Sequence, residues 1–181
     1  MKINIKLEGG IMPKKGSEYA AAYDLYVPED YILRLGRQII DMGFILELPL
    51  WWKANIRPRS GFSAKGMQAI ARTTYVHAVD IGKYERKTVE EEVRIDADVL
   101  LGLVDCDYHD HCGVMLKVNS LDYFAKKPWE FCDMVKNEIV LPKGLRIAQM
   151  EICKGEESEL IEVSEVDMTN DRGGGFGHTG A

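Results

Sequence analysis

Hydrophobic and polar residues alternate along much of this chain, and helical spacing of the hydrophobic residues is rarer. Ile3, Ile5 and Leu7 alternate with polar residues near the N-terminus, and the same pattern recurs over 114–118. A period of two is typical of strands that bury one face. Gly or Pro turn signals follow at short intervals, at positions 9–10, 28, 49, 61, 66, 82, 102, 113 and 142–144. Many short strands between frequent turns predict an all-β sandwich or barrel.

Two segments do not fit this rhythm, and the first of them is 67–98. Thr88 and Glu91 have the spacing of a helix capping box. Val93 and Ile95 alternate with polar residues as they would in a strand. The pattern therefore leaves helix and strand both open in this segment.

The second segment is 120–138, where Pro128 stands as a first helical residue and Phe131 and Val135 are four residues apart. This arrangement predicts a short helix. At the C-terminus, five glycines among residues 171–181 prevent a packed element. They predict a mobile tail that becomes ordered only when something binds it.

Length and charge narrow the class of protein. A chain of 181 residues is expected to form one domain, spanning 1–181. Its formal net charge of −6 argues against non-specific binding to long nucleic acid, which needs clustered Lys and Arg. No apolar run reaches the roughly 18 residues of a membrane helix, and the N-terminus lacks a signal-peptide core. We therefore expect a soluble, cytoplasmic protein without a membrane partner.

Four candidate zinc ligands lie within seven residues, at Cys106, His109, His111 and Cys112. Zinc sites usually leave about two to four residues inside each ligand pair. On a strand, the two histidines would share one face and the two cysteines would share the other. We therefore favour solvated histidines and core thiols over a zinc site. No Cys-x-x-Cys pair is present, so the four cysteines are expected to be reduced.

The segment Arg57-Pro58-Arg59-Ser60-Gly61 is a compact candidate for anion binding. Two guanidinium groups, a hydroxyl and an unhindered glycine backbone suit a phosphate or a carboxylate, because Arg matches such oxygens bidentately. A surface turn with two solvated arginines is an equally good interpretation of this segment taken alone.

Two further candidates come from a strand end and from a strand. Asp105 follows the apolar run 101–104, where a partly desolvated, rigidly held carboxylate suits a base that activates water. An ordinary turn aspartate is the commoner outcome for such a residue alone. Arg146 and Gln149 are three residues apart, on opposite faces of a regular strand, so only one is expected to face a given site. A structural ion pair is the alternative for Arg146.

The C-terminal tail combines Arg172, a glycine run, Phe176 and Thr179. Backbone N–H groups of such a segment can bind phosphates, and an aromatic ring can cover a flat ligand. The alternative is a plain disordered terminus. A phenylalanine with glycine on both sides favours closure over a ligand.

These four motifs and a fifth, residues 16–25, occur in an order that resembles the trimeric dUTPase family. The resemblance implies a jelly-roll or distorted β-barrel with two insertions, at about 67–98 and 120–138. It also implies a homotrimer whose active sites are shared between chains. The implied reaction is hydrolysis of dUTP to dUMP and pyrophosphate, with Mg²⁺ as the cofactor on the triphosphate.

Two alternatives to this hydrolase remain. One is a dCTP deaminase-like relative of the same fold, which is disfavoured because that branch typically has a second serine where this chain has Gly61. The other is a non-catalytic nucleotide-binding or interaction module, in which the two insertions contact a protein partner.

The resemblance also assigns roles to residues. Asp105 would activate the attacking water, Tyr108 would pack on the deoxyribose, and Phe176 would stack on uracil. Arg172 would reach the γ-phosphate, and Asp24 would support the water shell of the metal without binding it directly. The implied substrate-binding residues are Arg59, Ser60, Gly61, Leu103, Val104, Tyr108, Gly113, Gln149, Arg172, Phe176, Gly177 and Thr179.

Overall fold

The structure, a computed structural model, describes residues 1–121 and 134–169. The elements in these residues are, in chain order, β1 (Asn4–Leu7), β2 (Lys14–Lys15), β3 (Tyr23–Tyr26), β4 (Tyr31–Ile32), β5 (Gly36–Asp41), β6 (Phe44–Glu47), β7 (Trp52–Pro58), α1 (Ser60–Lys65), β8 (Met67–Asp80), β9 (Lys83–Ile95), β10 (Ala97–Val99), β11 (Gly102–Val104), β12 (Gly113–Val118), β13 (Met134–Leu141) and β14 (Arg146–Lys154). The predicted all-β fold is confirmed, and the strand arrangement is consistent with the predicted jelly-roll. No helix in the described part is long and apolar enough to cross a membrane.

A five-stranded antiparallel sheet, in the order β11-β7-β14-β3-β2, carries several of the predicted site residues. Its strands alternate between a buried and an outer face. On β7, Ala54 and Ile56 are buried, whereas Asn55 and Arg57 are not. The polar residues of these strands therefore share the outer face.

The other described strands form sheets of two, three and four strands, in the orders β1-β6, β10-β12-β5 and β4-β13-β8-β9. Their inward residues and those of the five-stranded sheet form one hydrophobic core. The largest fully buried side chains include Leu25, Ile40, Met42, Phe44, Met67, Leu116, Ile139, Leu141, Ile147 and Met150.

The predicted alternation holds in full for β12 and only partly for β1. Val114, Leu116 and Val118 are all buried, as the pattern predicts. On β1, Ile5 is half-buried and Leu7 is exposed. β12 lies between two strands, whereas β1 pairs with β6 alone, and an edge strand has less neighbouring surface against which to bury its side chains.

Segment 67–98 is a long antiparallel hairpin of β8 and β9, continued by β10. The strand interpretation is confirmed, and Thr88 lies within β9 instead of capping a helix. The base of the hairpin belongs to the core, since Met67 and Ile95 are buried. Ile81, at its far end, is fully exposed, so this end projects from the core.

The prediction of a helix within 120–138 is wrong for residues 134–138, because these residues belong to β13. β13 pairs with β8 and, at its C-terminal end, also with β4. This ladder satisfies the backbone hydrogen bonds that a helix would satisfy locally, so tertiary pairing overrides the helical pattern. Pro128, Phe131 and the predicted mobile tail 171–181 lie outside the described residues.

The turn between β5 and β6 crosses the N-terminal segment at a close backbone contact. The Gly43 carbonyl accepts hydrogen bonds from the amides of Glu8 and Gly10, at 2.7 and 2.9 Å. Gly43 has a φ of +64°, and a Cβ at this position would lie 2.6 Å from the Gly10 nitrogen. Both the backbone conformation and the lack of space therefore require glycine here.

We expect Gly43→Ala to destabilise the chain by about 2–5 kcal/mol. The left-handed backbone accounts for roughly 1–2 kcal/mol, and displacement of the neighbouring backbone for a further ~1–3 kcal/mol. Gly82→Ala is the matched control, because Gly82 has a φ of +71° but no atom within 4 Å of a Cβ. It should cost at most about 2 kcal/mol. Urea unfolding checks the difference, and equal destabilisation by the two substitutions would contradict the contact with Gly10.

Candidate active site

A polar row crosses the outer face of the five-stranded sheet. Arg57 on β7, Gln149 on β14 and Asp24 on β3 are direct neighbours in the strand register. Directly paired residues of a sheet point to the same face, so these side chains lie side by side. An open cleft of about 390 Å³ lies along the row and is lined by Gly16, Ala20, Ala21, Ala22, Asp24, Arg57, Gln149 and Glu151.

Asp24 holds two arginines at this site. Its Oδ1 accepts a hydrogen bond from Arg59 Nε at 3.0 Å, and its Oδ2 accepts one from Arg146 Nη1 at 3.2 Å. The Asp24 side chain is only 12% exposed, so these contacts are less screened by water than those of a surface ion pair. Arg59 Nη1 also donates to the Arg146 carbonyl at 3.2 Å. Two guanidinium groups are thereby fixed around one carboxylate.

Arg146 and Gln149 lie on the same face, so the prediction that only one of them faces the site is wrong. A β-bulge between Arg146 and Ala148 shifts the register, so that Arg146 pairs with Tyr26. Gln149 pairs with Asp24, two residues from Tyr26 on the same face of β3. The two consecutive residues inside the bulge, Ile147 and Ala148, are both fully buried. In a regular strand they would point to opposite faces, so the core could not bury both side chains on one face.

Gln149 and Arg57 also make contacts within the sheet. Gln149 Nε2 donates to the Pro58 carbonyl at 3.1 Å, which anchors the end of β7 directly before Arg59. Arg57 Nε lies 2.9 Å from Glu151 Oε2, in a largely exposed pair. Such a pair contributes less than about 1 kcal/mol, so Arg57 can exchange it for another anion at low cost.

Ser60 and Gly61 form the exposed first turn of α1, next to Arg59. Phe62, which is buried, anchors this turn in the core. The Arg59 carbonyl accepts the amides of Phe62 and Ser63, at 2.9 and 3.1 Å. A Cβ on Gly61 would meet no atom within 4 Å, so the backbone of Gly61 is open to a ligand.

Asp105 lies at the opposite end of the sheet from the Arg59–Asp24–Arg146 cluster. β11 runs antiparallel to β7, with Val104 opposite Ala54. Asp105 therefore follows β11 near the start of β7, whereas Arg59 follows the end of β7. The five residue steps from Ala54 to Arg59 span about 17 Å at ~3.3 Å per residue. One chain does not bring Asp105 to the arginines.

The environment of Asp105 also differs from the predicted one. Asp105 is exposed, so the partial desolvation predicted for it is not found in the single chain. The apolar run before it ends in the core at Val104, and the chain then leaves the sheet at its edge, where β11 has β7 as its neighbour on one side. An edge position leaves the following loop in water.

Tyr108 follows Asp105 in the loop that connects β11 to β12 of another sheet, and the residue is about half exposed. Its amide donates to the Asp105 carbonyl and its hydroxyl to the His111 carbonyl, both at 3.2 Å. Leu103 is exposed on the outer face, whereas the Val104 side chain is buried. The Val104 side chain is therefore not open to a ligand.

Gly113 begins β12, where a Cβ would lie 2.8 Å from Ile39 Cγ2, so packing alone accounts for a glycine there. The tail positions of the predicted site lie outside the described residues: Arg172, Phe176, Gly177 and Thr179.

His111 is not a solvated histidine, contrary to the prediction. Its Nδ1 lies 2.7 Å from Asp41 Oδ2, and its Nε2 lies 2.8 Å from Glu8 Oε2. Hydrogen bonds to Asp41 and then to Glu8 raise the pKa of His111 to about 9, so the ring is protonated at neutral pH. The three residues are far apart in the sequence, and no spacing signal connects them.

The neighbouring cysteines do not join His111 in a metal site. Cys112 is buried, and burial raises the pKa of its thiol to about 11. Cys106, Cys112 and Cys153 are free thiols. Over 1–121 and 134–169, no three His, Cys, Asp or Glu side chains are grouped so that they could hold a metal ion.

Comparison with known sequences finds chains of one family. The family model described as dUTPase matches residues 8–83. The deoxyuridine 5'-triphosphate nucleotidohydrolase of Variola virus is 31% identical over 169 residues, which cover 93% of this chain and 84% of the viral protein. The protein of that name from Oryza sativa subsp. japonica is 28% identical over 181 residues, which cover 99% of this chain and 80% of the plant protein.

Solved structures share the fold. The dUTPase of Staphylococcus bacteriophage 80alpha with dUPNHPP has a TM-score of 0.70 to this chain, at 20% identity and over 99% of both chains. A mutant dUTPase from phage phi11 of S. aureus has a TM-score of 0.63 at 18% identity, over 91% of this chain and 98% of the phage protein. Sequence relatives and fold agree, and the chain belongs to the dUTPase family.

Proposed function

We propose that this chain is a dUTP diphosphatase, which hydrolyses dUTP to dUMP and pyrophosphate. The observation that carries the proposal is the Arg59–Asp24–Arg146 cluster beside the open turn of Ser60 and Gly61. The cluster supplies fixed positive charge, and the turn supplies an unhindered backbone, which together suit a triphosphate. The relatives named deoxyuridine 5'-triphosphate nucleotidohydrolase support dUTP as the substrate.

The phosphate-binding half of the site consists of Arg59, Ser60, Gly61 and Gln149. Asp24 offsets the repulsion between the two guanidinium groups and holds both in place before substrate arrives. Preorganised donors of this kind stabilise the charge that develops on a leaving pyrophosphate, because they need no reorganisation during the reaction. Ser60 and Gln149 add neutral donors to the same phosphates.

The catalytic half is the loop with Asp105 and Tyr108. Asp105 takes a proton from water as the water oxygen bonds to the α-phosphorus, and the bond from that phosphorus to the bridging oxygen of pyrophosphate breaks. Tyr108 packs on the deoxyribose and leaves no room for a 2'-hydroxyl. The backbone of Leu103 and Val104 hydrogen-bonds the uracil edge, which rejects other bases.

The two halves meet between chains, and the resemblance to trimeric dUTPases makes the proposed enzyme a homotrimer with shared sites. Asp105 must lie within about 2.6–3.2 Å of the water that attacks the α-phosphorus. Within one chain, about 17 Å of β7 separates Asp105 from Arg59, which would hold the phosphates. A second chain supplies the missing half, and its surface would desolvate Asp105. The tail then closes over the nucleotide, with Arg172 on the γ-phosphate, Phe176 on uracil, and Gly177 and Thr179 beside them.

Mg²⁺ fits this site as an ion carried by the triphosphate. Both Asp24 oxygens accept hydrogen bonds from arginines, so Asp24 would support the water shell of the ion instead of binding it directly. The bound ion supplies charge neutralisation of the phosphate oxygens. The phage phi11 structure describes the coordination of a structural Mg(II) ion in that protein, which is consistent with Mg²⁺ as the ion of the proposed site.

Two proposals remain, one on the location of the protein in the cell and one on a protein partner. A cytoplasmic location stays a prediction, as does a protein partner at the two insertions. The exposed end of the β8–β9 hairpin, with Ile81 in water, is the surface of the described part at which such a partner would bind.

Asp105→Asn should lower kcat for pyrophosphate release from dUTP by about 10²–10⁴-fold, because the amide does not accept the proton of water. Binding of the imido analogue of dUTP should be retained. Asp107→Asn is the matched control, since Asp107 is an exposed aspartate of the same loop, and it should keep the kcat of the parent chain. The assay is a panel of ribo- and deoxynucleoside triphosphates with Mg²⁺, followed by chromatography of the products.

The same panel separates the alternatives. A uracil nucleotide formed from dCTP would favour the deaminase-like relative, and binding of dUTP without turnover would favour the non-catalytic module. Either result would overturn the proposed function. Full activity of Asp105→Asn would contradict the role of Asp105.

A shared site predicts complementation between two inactive variants. Asp105→Asn and Arg59→Gln each remove one half of every site in a homotrimer. When both chains are co-expressed in equal amounts and each site draws on two chains, about one quarter of the sites combine an intact Asp105 with an intact Arg59. We expect about that fraction of the parent activity, measured as pyrophosphate release per site.

Each variant expressed alone is the control and should stay inactive. Two successive affinity purifications, through a different tag on each variant, verify that mixed trimers form. Mixed trimers as inactive as either variant alone would show that Asp105 and Arg59 act from the same chain.

A further inference from the structure

Three segments that are distant in the sequence meet at His111. They are the residue after β1, Glu8, the end of β5 at Asp41, and the loop of residues 105–112 between β11 and β12, which we name the catalytic hairpin. Nδ1 of His111 contacts Asp41 at 2.7 Å, and Nε2 contacts Glu8 at 2.8 Å. The imidazole therefore has a carboxylate at each ring nitrogen.

Contacts at both nitrogens favour a protonated ring. A neutral imidazole has one N–H donor and one acceptor nitrogen, so one of the two carboxylates would face a lone pair. The imidazolium donates from both nitrogens and satisfies both carboxylates. The raised pKa of His111, about 9, agrees with this geometry.

The charged groups on the other two segments also favour this state. Glu8 pairs with Lys6 as well as with His111, and hydrogen bonds from Lys6 and then His111 lower its pKa. Burial acts to raise the pKa of Asp41, but hydrogen bonds from His111 and from the Gly43 amide outweigh burial and lower it. Both carboxylates are therefore ionised at neutral pH and hold the imidazolium.

Within the catalytic hairpin, His111 contacts the residues next to it. Its carbonyl accepts the Tyr108 hydroxyl at 3.2 Å, and its amide donates to Asp110 Oδ1 at 2.7 Å. The Cys112 carbonyl accepts the Met42 amide, and the Cys112 amide donates to the Phe44 carbonyl, each at 2.9 Å. Met42 and Phe44 lie on either side of Gly43 in the β5–β6 turn. The side chain of His111 and the backbone of Cys112 thus attach the hairpin to the same turn.

We propose that His111 is a positioning residue, which ties the catalytic hairpin through its imidazolium to Glu8 and Asp41. The inference rests on the proposed function, since the placement of the hairpin affects turnover only if Asp105 activates water. His111 touches no substrate. It sets where Asp105 and Tyr108 lie relative to the rest of the fold.

Loss of the His111 proton breaks this tie at alkaline pH. The pKa of the ring rises from an ordinary 6.5 to about 9 on folding. Its stabilising contribution is therefore complete below about 6.5 and is lost as the pH rises through about 9. The hairpin loosens over that range, and kcat falls with it.

His111→Gln in the full chain tests the proposal through the pH dependence of turnover. Near neutral pH, kcat for dUTP should fall about 10–100-fold and more than KM changes, because small displacements of a catalytic group lower the rate steeply. The parent chain should lose kcat as the pH passes about 9, and the variant should lack this inflection. His109→Gln, an exposed histidine of the same hairpin, is the matched control and should follow the parent at every pH.

Glu8→Gln is a milder test that retains the histidine. It removes one of the two carboxylates, so the pKa of His111 falls and the alkaline limb of kcat should move to lower pH. A residue that only supports the fold would not shift a pH profile in this way. The variant also decides the question if thermal unfolding shows that His111→Gln does not fold.

A measurement without turnover separates failure of this inference from failure of the proposed function. NMR titration of ¹³Cε1-labelled histidines, assigned with the two histidine variants, should show the His111 ring titrating near 9. Amide hydrogen exchange in the catalytic hairpin should be faster in His111→Gln, or in Glu8→Gln above the shifted pKa, than in the parent chain. Both results are expected whether or not the chain hydrolyses dUTP.

The proposal is overturned if the His111 ring titrates near 6.5, or if hairpin exchange is the same in the variants and the parent. It is equally overturned if the parent hydrolyses dUTP and the folded variants keep its kcat and its pH profile.

Discussion

In a regular strand, Arg146 and Gln149 would point to opposite faces of the five-stranded sheet, and the polar row on the outer face would lose one of them. The bulge in β14 prevents this, because it buries two consecutive residues and returns the strand to the outer face one residue later. Asp24 then lies opposite Gln149 and within hydrogen-bond reach of Arg146 and Arg59. The paired guanidinium groups, the anchored end of β7 and the cleft beside them all depend on this one irregularity.

The bulge brings polar groups together, whereas the length of β7 keeps apart the groups that the proposed catalysis must join. β7 is held by β11 on one side and by β14 on the other, so it does not bend to bring Asp105 toward Arg59. While β11 stays paired with β7, no loop movement within one chain closes about 17 Å. In the proposed trimer a neighbouring chain closes this distance, and formation of the active site is coupled to assembly. The desolvation that the sequence predicts for Asp105 would then be a property of the assembled site.

What could be predicted from the sequence depends on whether the deciding contact is local. Alternation over 114–118 is local and correct, because β12 has a neighbour on each side. Helical spacing over 120–138 is equally local and fails at 134–138, because pairing with β8 decides the structure there. No local sequence pattern predicts the bulge, because packing in the core determines which two consecutive residues are buried together. His111 gives no signal either, because its partners lie 70 and 103 residues away.

The two halves of the proposed site are held by ion clusters of opposite composition. Two guanidinium groups surround one carboxylate at Asp24, whereas two carboxylates surround one imidazolium at His111. In the proposed site, a triphosphate would be attracted to the arginine end and not to the hairpin end, where Asp105, Asp107 and Asp110 add negative charge. This difference would orient the phosphate chain before the base acts. The net charge of −6 does not prevent a triphosphate from binding at the arginines. Residues 155–169 alone carry six carboxylates and no Lys or Arg. Exposed charges of this kind are screened beyond about 10 Å. The net charge argues against long nucleic acid as a partner, and the local clusters determine which small anion can bind.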